Sequence, residues 1–225
     1  MIIGNGMIAN VFKENFLNED VLIFASGVSN SREIRNSEFI KEMDLVQNSI
    51  LNFPDKFFIY FSSCSVHNSD SRYSKHKINV ENFIIKNAKK YLVLRLPIVL
   101  GKNQSKKQLI GYLYDKLYKK EVVEVYKQAN RYIIDSQDLP RIVNLLISKG
   151  ISNEIVEIAF NNSLFIDEIL LVIERVSNNK FEISYSEIYS PYKVENTRFL
   201  NLLNSNEINS FNLNLELMLL KYFVS

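Results

Sequence analysis

Short apolar runs alternate with longer stretches of helical periodicity along the chain, and this alternation limits the folds open to it. The runs cover residues 1–3, 21–25, 57–61, 91–101, 122–126, 131–134, 155–159 and 181–185. Between them, helical spacing of apolar residues extends over 8–16, 32–51, 73–88, 109–119, 139–148 and 165–176, and through most of the tail from 196 to 223. In the stretch 32–51 the apolar face is drawn from Ile34, Phe39, Ile40, Met43, Val46, Ile50 and Leu51. A run such as Val21-Leu22-Ile23-Phe24-Ala25 has no polar alternation, so both faces of the strand must be covered. Strands of this kind separated by helices predict an α/β fold with a doubly wound parallel sheet and a smaller C-terminal lobe. In this reading residues 1–225 form a single domain, with about 103–130 and 160–225 contributing the lobe. Ser136 or Asp138 is placed to cap the helix 139–148.

A chain of 225 residues can bury one sizeable core. Its net charge of +2 offers no electrostatic case for nucleic acid or for an anionic membrane. One cysteine excludes an internal disulfide and fits a reducing compartment. With two histidines beside it, a structural metal site is a poor expectation. No apolar run is long enough to span a bilayer, and the first ten residues lack the features of a signal peptide. The cytoplasm is therefore the expected location.

Two local patterns carry chemistry. Gly4-Asn5-Gly6-Met7-Ile8-Ala9 lies between the first strand and the first helix, and Gly-x-Gly-x-x-Ala at such a junction is a dinucleotide-binding fingerprint. Gly4 permits a tight turn, Gly6 lets backbone approach a pyrophosphate at the helix N-terminus, and Ala9 keeps the helix close to the sheet. A plain glycine turn would use the same residues. In the second pattern, strand 57–61 ends in Ser62, Ser63, Cys64 and Ser65, and Tyr73 and Lys77 follow on one face of a helix. A free phenol, with a pKa of about 10, is a poor base at neutral pH. A nearby cation favours the phenolate and is expected to shift Tyr73 toward the working range. A preplaced hydroxyl stabilises charge developing on a reacting oxygen. The bland alternatives are an exposed helix tyrosine and a solvated lysine.

Taken in order, GNGMIA, VLIFASG, FSSCSV with YSKHK, LRLPIVLG and RYIIDSQDL resemble the extended short-chain dehydrogenase/reductase family, the group of nucleotide-sugar epimerases, dehydratases and reductases. The resemblance spans essentially the whole chain and implies a Rossmann-like sheet. It implies Tyr73 as acid/base, Lys77 as the group that lowers its pKa and holds the cofactor ribose, and Ser63 as the partner of the substrate oxygen. Ser63 is preferred to Ser62 and Ser65 because the family's serine lies three places before the valine, here Val66. The implied seat for NAD or NADP uses Gly4, Asn5, Gly6, Met7 and Ile8, then Ala25, Ser26 and Gly27. Ser62, Tyr73 and Lys77 complete it, with Leu96 and Pro97 beside the nicotinamide. Ser29, Cys64, Ser65, His67 and Arg131 are the implied substrate contacts, Arg131 where related enzymes hold the substrate's diphosphate.

The chain also departs from the family. Two further strands with their helices, roughly fifty residues, normally separate the glycine turn from the strand VLIF. Here only residues 11–20 intervene, so the fold is expected to be truncated on its N-terminal side. The missing second strand carries the residue that separates NAD from NADP, and Asp20 does not replace it because it precedes the wrong strand. Weak cofactor affinity, an exposed adenine, or completion by another chain are the alternatives. The loss also makes strand 1–3 a sheet edge, which invites a covering partner, and a homodimer is one expectation.

The function implied is an NAD(P)-dependent oxidoreductase acting on a nucleotide-linked keto-sugar, a reductase for bacterial surface polysaccharide, with NADPH slightly favoured. An epimerase on the same site is one alternative. A degenerate relative that binds a nucleotide or partner without catalysis is another. The expected partner is a small-molecule nucleotide sugar, with no nucleic acid, membrane or metal.

Overall fold

The computed structural model describes residues 1–67 and 70–224, so the loop expected between Val66 and Tyr73 is covered in part. The chain runs β1 (Ile2–Ile3), α1 (Met7–Asn15), β2 (Val21–Phe24), α2 (Asn36–Asn52), β3 (Phe57–Ser63), α3 (Arg72–Asn87), β4 (Tyr91–Leu96) and β5 (Ile98–Leu100). It continues through α4 (Leu109–Lys119), β6 (Val123–Lys127), β7 (Asn130–Arg131), β8 (Ile133–Asp135), α5 (Leu139–Ser148), β9 (Glu154–Glu157), β10 (Leu164–Phe165), α6 (Ile166–Ser177) and β11 (Ile183–Tyr189). Three short helices follow, α7 (Thr197–Asn201), α8 (Ser205–Asn209) and α9 (Leu215–Leu219).

The α/β class and the parallel sheet read from the sequence are present. Five strands lie in the order β1-β2-β3-β4-β9, all parallel. Side chains alternate between two cores, as strand geometry requires. Ile23, Ile59 and Leu94 face Phe12 and Phe16 of α1 and Leu139, Ile142 and Val143 of α5. Leu22, Phe58, Tyr60 and Val93 face Val46 and Ile50 of α2 and Val80 and Ile84 of α3. A further cluster, built on α4, α6, α9 and β6, fills the lobe.

The step from β1 to β2 differs in hand from the two steps that follow it. The strands β1, β2 and β3 advance in one direction across the sheet. The connecting helices α1 and α2 nevertheless lie on opposite faces. Two parallel crossovers that advance in the same direction on opposite faces must have opposite hands. β2–α2–β3 and β3–α3–β4 share one hand and β1–α1–β2 has the other, as does the longer connection from β4 through α5 to β9, although crossovers of this kind are right-handed in about 98% of cases. In a doubly wound sheet α1 would lead outward to a further strand. Here it turns back to β2 on the face it would have used for that route.

Several local expectations shift. The run 91–101 is not one strand, because Pro97 has no N–H to continue the ladder. β4 stays in the main sheet, whereas β5 leaves it and pairs with β8. Ile34, Ile40 and Leu51 are exposed rather than part of the α2 interior face, and Glu42 and Ser49 are buried there instead. Neither Ser136 nor Asp138 caps α5 through its side chain. Asp135 instead accepts a bond from the Gln137 N–H and starts the tight turn before that helix. Among the described residues no helix is long and apolar enough to cross a membrane.

Candidate active site

The carboxyl ends of β2, β3 and β4 open into a cleft of about 830 Å³, floored by the sheet and walled by α1, α3 and the lobe. That volume is in the range of ligand pockets, roughly 300–1,000 Å³. α3 starts at this cleft because the Ser71 side chain accepts a bond from the Ser74 N–H at 3.1 Å, satisfying one of the free donors of the first turn. That start sets Tyr73 and Lys77, one turn apart, side by side against the ends of β2 and β3. Ser63, the last residue of β3, sits by the Tyr73 phenol and acts to lower its pKa, and its Oγ lies 2.9 Å from Ser65 Oγ. The structure therefore brings Ser63, Ser65, Tyr73 and Lys77 to one wall of the cleft.

The lysine is held by a group that composition-based reading passed over. Lys77 Nζ donates to Glu42 Oε1 at 2.9 Å and to Tyr60 Oη at 3.0 Å. Tyr60 in turn donates to Glu42 Oε1 at 2.6 Å. The second carboxylate oxygen accepts from the Val28 N–H at 2.9 Å and lies 2.9 Å from His76 Nε2. Lys77 and Glu42 are each 2 % exposed, so this is a buried ion pair with its hydrogen-bonding capacity largely filled. Gly27 passes directly over it. A Cβ there would fall 2.7 Å from Glu42 Oε1 and 2.8 Å from Lys77 Nζ, so only glycine fits.

The electrostatics follow from that pair. Burial alone would raise the Glu42 carboxyl, but Lys77, His76 and Tyr60 together hold it down at about 2. Burial works against the Lys77 ammonium, and Glu42 and Tyr73 more than offset it, so the lysine stays charged. The Tyr73 phenol is pushed up by burial, and the lowering effects of Lys77 and Ser63 do not reverse this. Glu42 adds to the upward push. The expected shift of Tyr73 toward neutrality is thus corrected. A lysine neutralised by its own carboxylate cannot carry a desolvated phenol down.

The other residues named from the sequence divide cleanly. Gly6, Met7 and Ile8 at the start of α1 line the cleft, as do Ala25, Gly27, Ser29, Ser62, Leu96, Pro97 and Arg131. Five do not. Gly4 has φ +127° and makes the turn, with its Cα packed on the Ala25 carbonyl. Asn5 accepts a bond from Lys13 at 2.9 Å on the exposed side, and Ser26 is not on the cleft wall. Cys64 points into the protein, fully buried, and its Sγ donates to the Arg95 carbonyl at 3.3 Å. Burial pushes that thiol up and keeps it inert. His67 turns away to Glu157, and its Nε2 lies 2.9 Å from Arg95 Nη1.

Arg95 explains both departures. Its guanidinium bridges Glu81 at 2.7 Å and Glu157 at 3.0 Å, drawing in Ser62, which donates to Glu81 at 2.5 Å. His67 joins this structural network, and Cys64 packs beneath it.

Arg131 stands in a different setting. Its Cζ lies 5.2 Å from the centroid of the Tyr192 ring and its Nη1 donates to the Asn130 carbonyl at 2.7 Å. Among the described residues it has no carboxylate partner, and burial lowers its pKa. Tyr192 and Tyr112 are cleft residues that sequence reasoning missed, since isolated tyrosines in irregular or helical segments carry no spacing signal. Glu42 did leave a trace. It falls at i+3 from Phe39 and i−4 from Val46, within the apolar stripe of α2.

No family model matches the chain, and no curated protein matches it. Solved structures do share its fold. A dTDP-4-dehydrorhamnose reductase from Clostridium acetobutylicum superimposes with a TM-score of 0.69 at 13% identity, covering 99% of this chain and 97% of that one. A dTDP-glucose 4,6-dehydratase from Bacillus anthracis, solved with NAD, gives 0.65 at 16% identity, over 94% of this chain and 75% of that one. A UDP-N-acetylglucosamine 4-epimerase from Methanobrevibacter ruminantium, in complex with UDP-N-acetylmuramic acid, gives 0.64 at 15% identity, over 91% and 76%.

Proposed function

We propose that the chain is an NAD(P)-dependent reductase of a keto group on a nucleotide-linked sugar, working in the cytoplasm on a precursor of surface polysaccharide. The observation that carries this reading is the Tyr73 phenol, buried beside Ser63 and next to a lysine whose charge Glu42 balances. Such a phenol holds its proton at neutral pH. Reduction needs a proton donor at the carbonyl oxygen, whereas epimerisation begins with oxidation and needs a phenolate base. The fold match to a keto-sugar reductase over nearly the full length of both chains supports the same direction.

The residues suit the cofactor on one side. Gly6 caps α1 without a side-chain partner, and an added Cβ there would meet no atom within 4 Å. The first-turn N–H groups of a nine-residue helix therefore face open cleft, a fit for phosphate. Leu96 and Pro97 offer an apolar wall next to Tyr73 for the nicotinamide ring. When bound, the reduced nicotinamide supplies the hydride. Tyr73 gives its phenolic proton to the carbonyl oxygen, and Ser63 donates a hydrogen bond to that oxygen. Carbon gains hydride and oxygen gains a proton, so the ketone becomes an alcohol. Lys77 would hold the cofactor ribose, with Glu42 fixing the lysine in place. Arg131, unpaired by carboxylate, takes the diphosphate of the substrate.

The test is turnover with a panel of nucleotide-linked 4-keto-sugars and either reduced cofactor. A reductase consumes cofactor in step with product. Product without net consumption identifies an epimerase, and binding without turnover identifies a non-catalytic relative. Arg131→Ala is expected to raise KM for the nucleotide-linked substrate by roughly ten- to a hundredfold, the worth of a hydrogen bond to a charged group. An unchanged KM removes Arg131 from the site.

The pH profile gives a separate check. Reduction is lost as pH rises through the Tyr73 pKa, which burial raises and Glu42 raises further. Glu42→Gln removes a negative charge near the phenol and leaves Lys77 unbalanced, so the alkaline limb of kcat should move to lower pH. A limb that stays in place, in a variant that still folds, counts against Tyr73 as the donor.

A further inference from the structure

We infer that this chain recognises only the nicotinamide mononucleotide half of the cofactor and leaves the adenosine half in solvent, so that any reduced nicotinamide 5′-phosphate serves it. The inference rests on the reading of the cleft as a nicotinamide seat. Its physical basis is the route of the chain after the glycine turn.

In a doubly wound sheet the adenosine lies over the strand beyond β1, and an acidic residue at the end of that strand, about 20 residues after the glycines, binds the ribose 2′-hydroxyl. Here α1 returns to β2, and β1 hydrogen-bonds to β2 alone. β1 is thus the sheet edge among the described residues. The position about 20 residues after the glycines falls at the end of β2, where Ala25 and Ser26 stand, and neither carries a charge. Asp20 lies at the opposite end of that strand.

The shape of the cleft agrees. Every residue that lines it comes either from the glycine turn and first turn of α1 or from elements on the β2 side of the sheet. On the outer side of that turn, Asn5 is exposed and its Oδ1 is engaged by Lys13. The phosphate-facing start of α1 is therefore the outer limit of the site. A mononucleotide reaches from there to Tyr73, and an adenosine appended to its phosphate projects past the sheet edge. No charged residue stands at the end of β2 to read the 2′-position, and Lys13, the cation by the outer side of the turn, is engaged by Asn5, so a 2′-phosphate gains no dedicated contact.

The experiment is calorimetric titration of the full chain with NADH, NADPH and reduced nicotinamide mononucleotide, with adenosine 2′,5′-bisphosphate as competitor. The three dissociation constants are expected to agree within about threefold, and the adenosine bisphosphate is expected not to compete. A preference above about tenfold for either dinucleotide over the mononucleotide, or for one dinucleotide over the other, overturns the inference while leaving the cofactor reading intact. Failure of all three to bind at millimolar concentration overturns the cofactor reading and the inference together. Gly6→Val supplies a second readout, because its side chain enters space free of protein atoms within 4 Å. It should keep the fold by circular dichroism and weaken all three ligands by one common factor. Weakening confined to the dinucleotides also overturns the inference.

Discussion

Tyr73→Phe is expected to lower turnover by about 10²–10⁴-fold, the usual contribution of a positioned acid or base. The ring is buried at 6 % exposure on the first turn of α3, and phenylalanine fills the same space. What is lost is the hydroxyl and its interaction with Ser63, a cost to stability of about 1 kcal/mol. Rate and fold should therefore separate, with kcat falling steeply while the denaturation midpoint moves little. Full activity in this variant refutes Tyr73 as the proton donor. Lys77 is a poorer target for the same question, because removing it strands Glu42 in the interior. A rate lost in Lys77→Ala would mix chemistry with unfolding.

Glu42→Leu carries the largest expected effect on stability. It leaves the Lys77 ammonium, the Val28 N–H and the Tyr60 hydroxyl without their acceptor. Breaking one side of a buried ion pair costs about 3–5 kcal/mol. The pH dependence has a definite sign. The Glu42 carboxyl sits at about 2 in the folded protein against 4.5 when free, so the native state favours its ionised form. Its contribution is complete above about 4.5 and fades as pH falls toward about 2. That depression corresponds to about 3 kcal/mol at 1.36 kcal/mol per unit. Urea denaturation of the protein and the variant should differ widely at pH 7 and converge toward pH 2. A constant difference across that range would mean that packing, not charge, sets the loss. The double replacement Glu42→Leu with Lys77→Met should recover much of the stability, since an apolar pair of similar volume often replaces a buried ion pair without penalty.

Much of the scaffold was legible because it depends on local order. The apolar runs at 21–25 and 57–61 are unbroken, and each became a strand buried on both faces. The pair Tyr73 and Lys77 could be placed on one helix face from spacing alone. Ser63 could be placed beside them because β3 ends there. The errors have physical causes of a different range. Residue type places Ile34, Ile40 and Leu51 in the interior, but Ile34 precedes α2 and is exposed, and α2 presents Ile40 and Leu51 to solvent and buries Glu42. Cys64 and His67 follow Ser63 closely, yet Arg95, some 28 residues after His67, draws the imidazole away from the cleft.

The sequence by itself determined most strands and helices of the main sheet, that the sheet is parallel, and that a serine, a tyrosine and a lysine meet at its carboxyl edge. These follow from side-chain periodicity and turn chemistry, which act over a few residues. Only the tertiary structure decided that Glu42 neutralises Lys77 across 35 positions, and that burial, with Glu42 adding to it, raises the Tyr73 phenol. The sheet edge at β1 was legible from the short interval between β1 and β2, but the tertiary structure alone decided that α1 packs on the face opposite α2. Both depend on which helix covers which face of the sheet. That choice is made by packing between distant segments, and no local pattern in the chain records it.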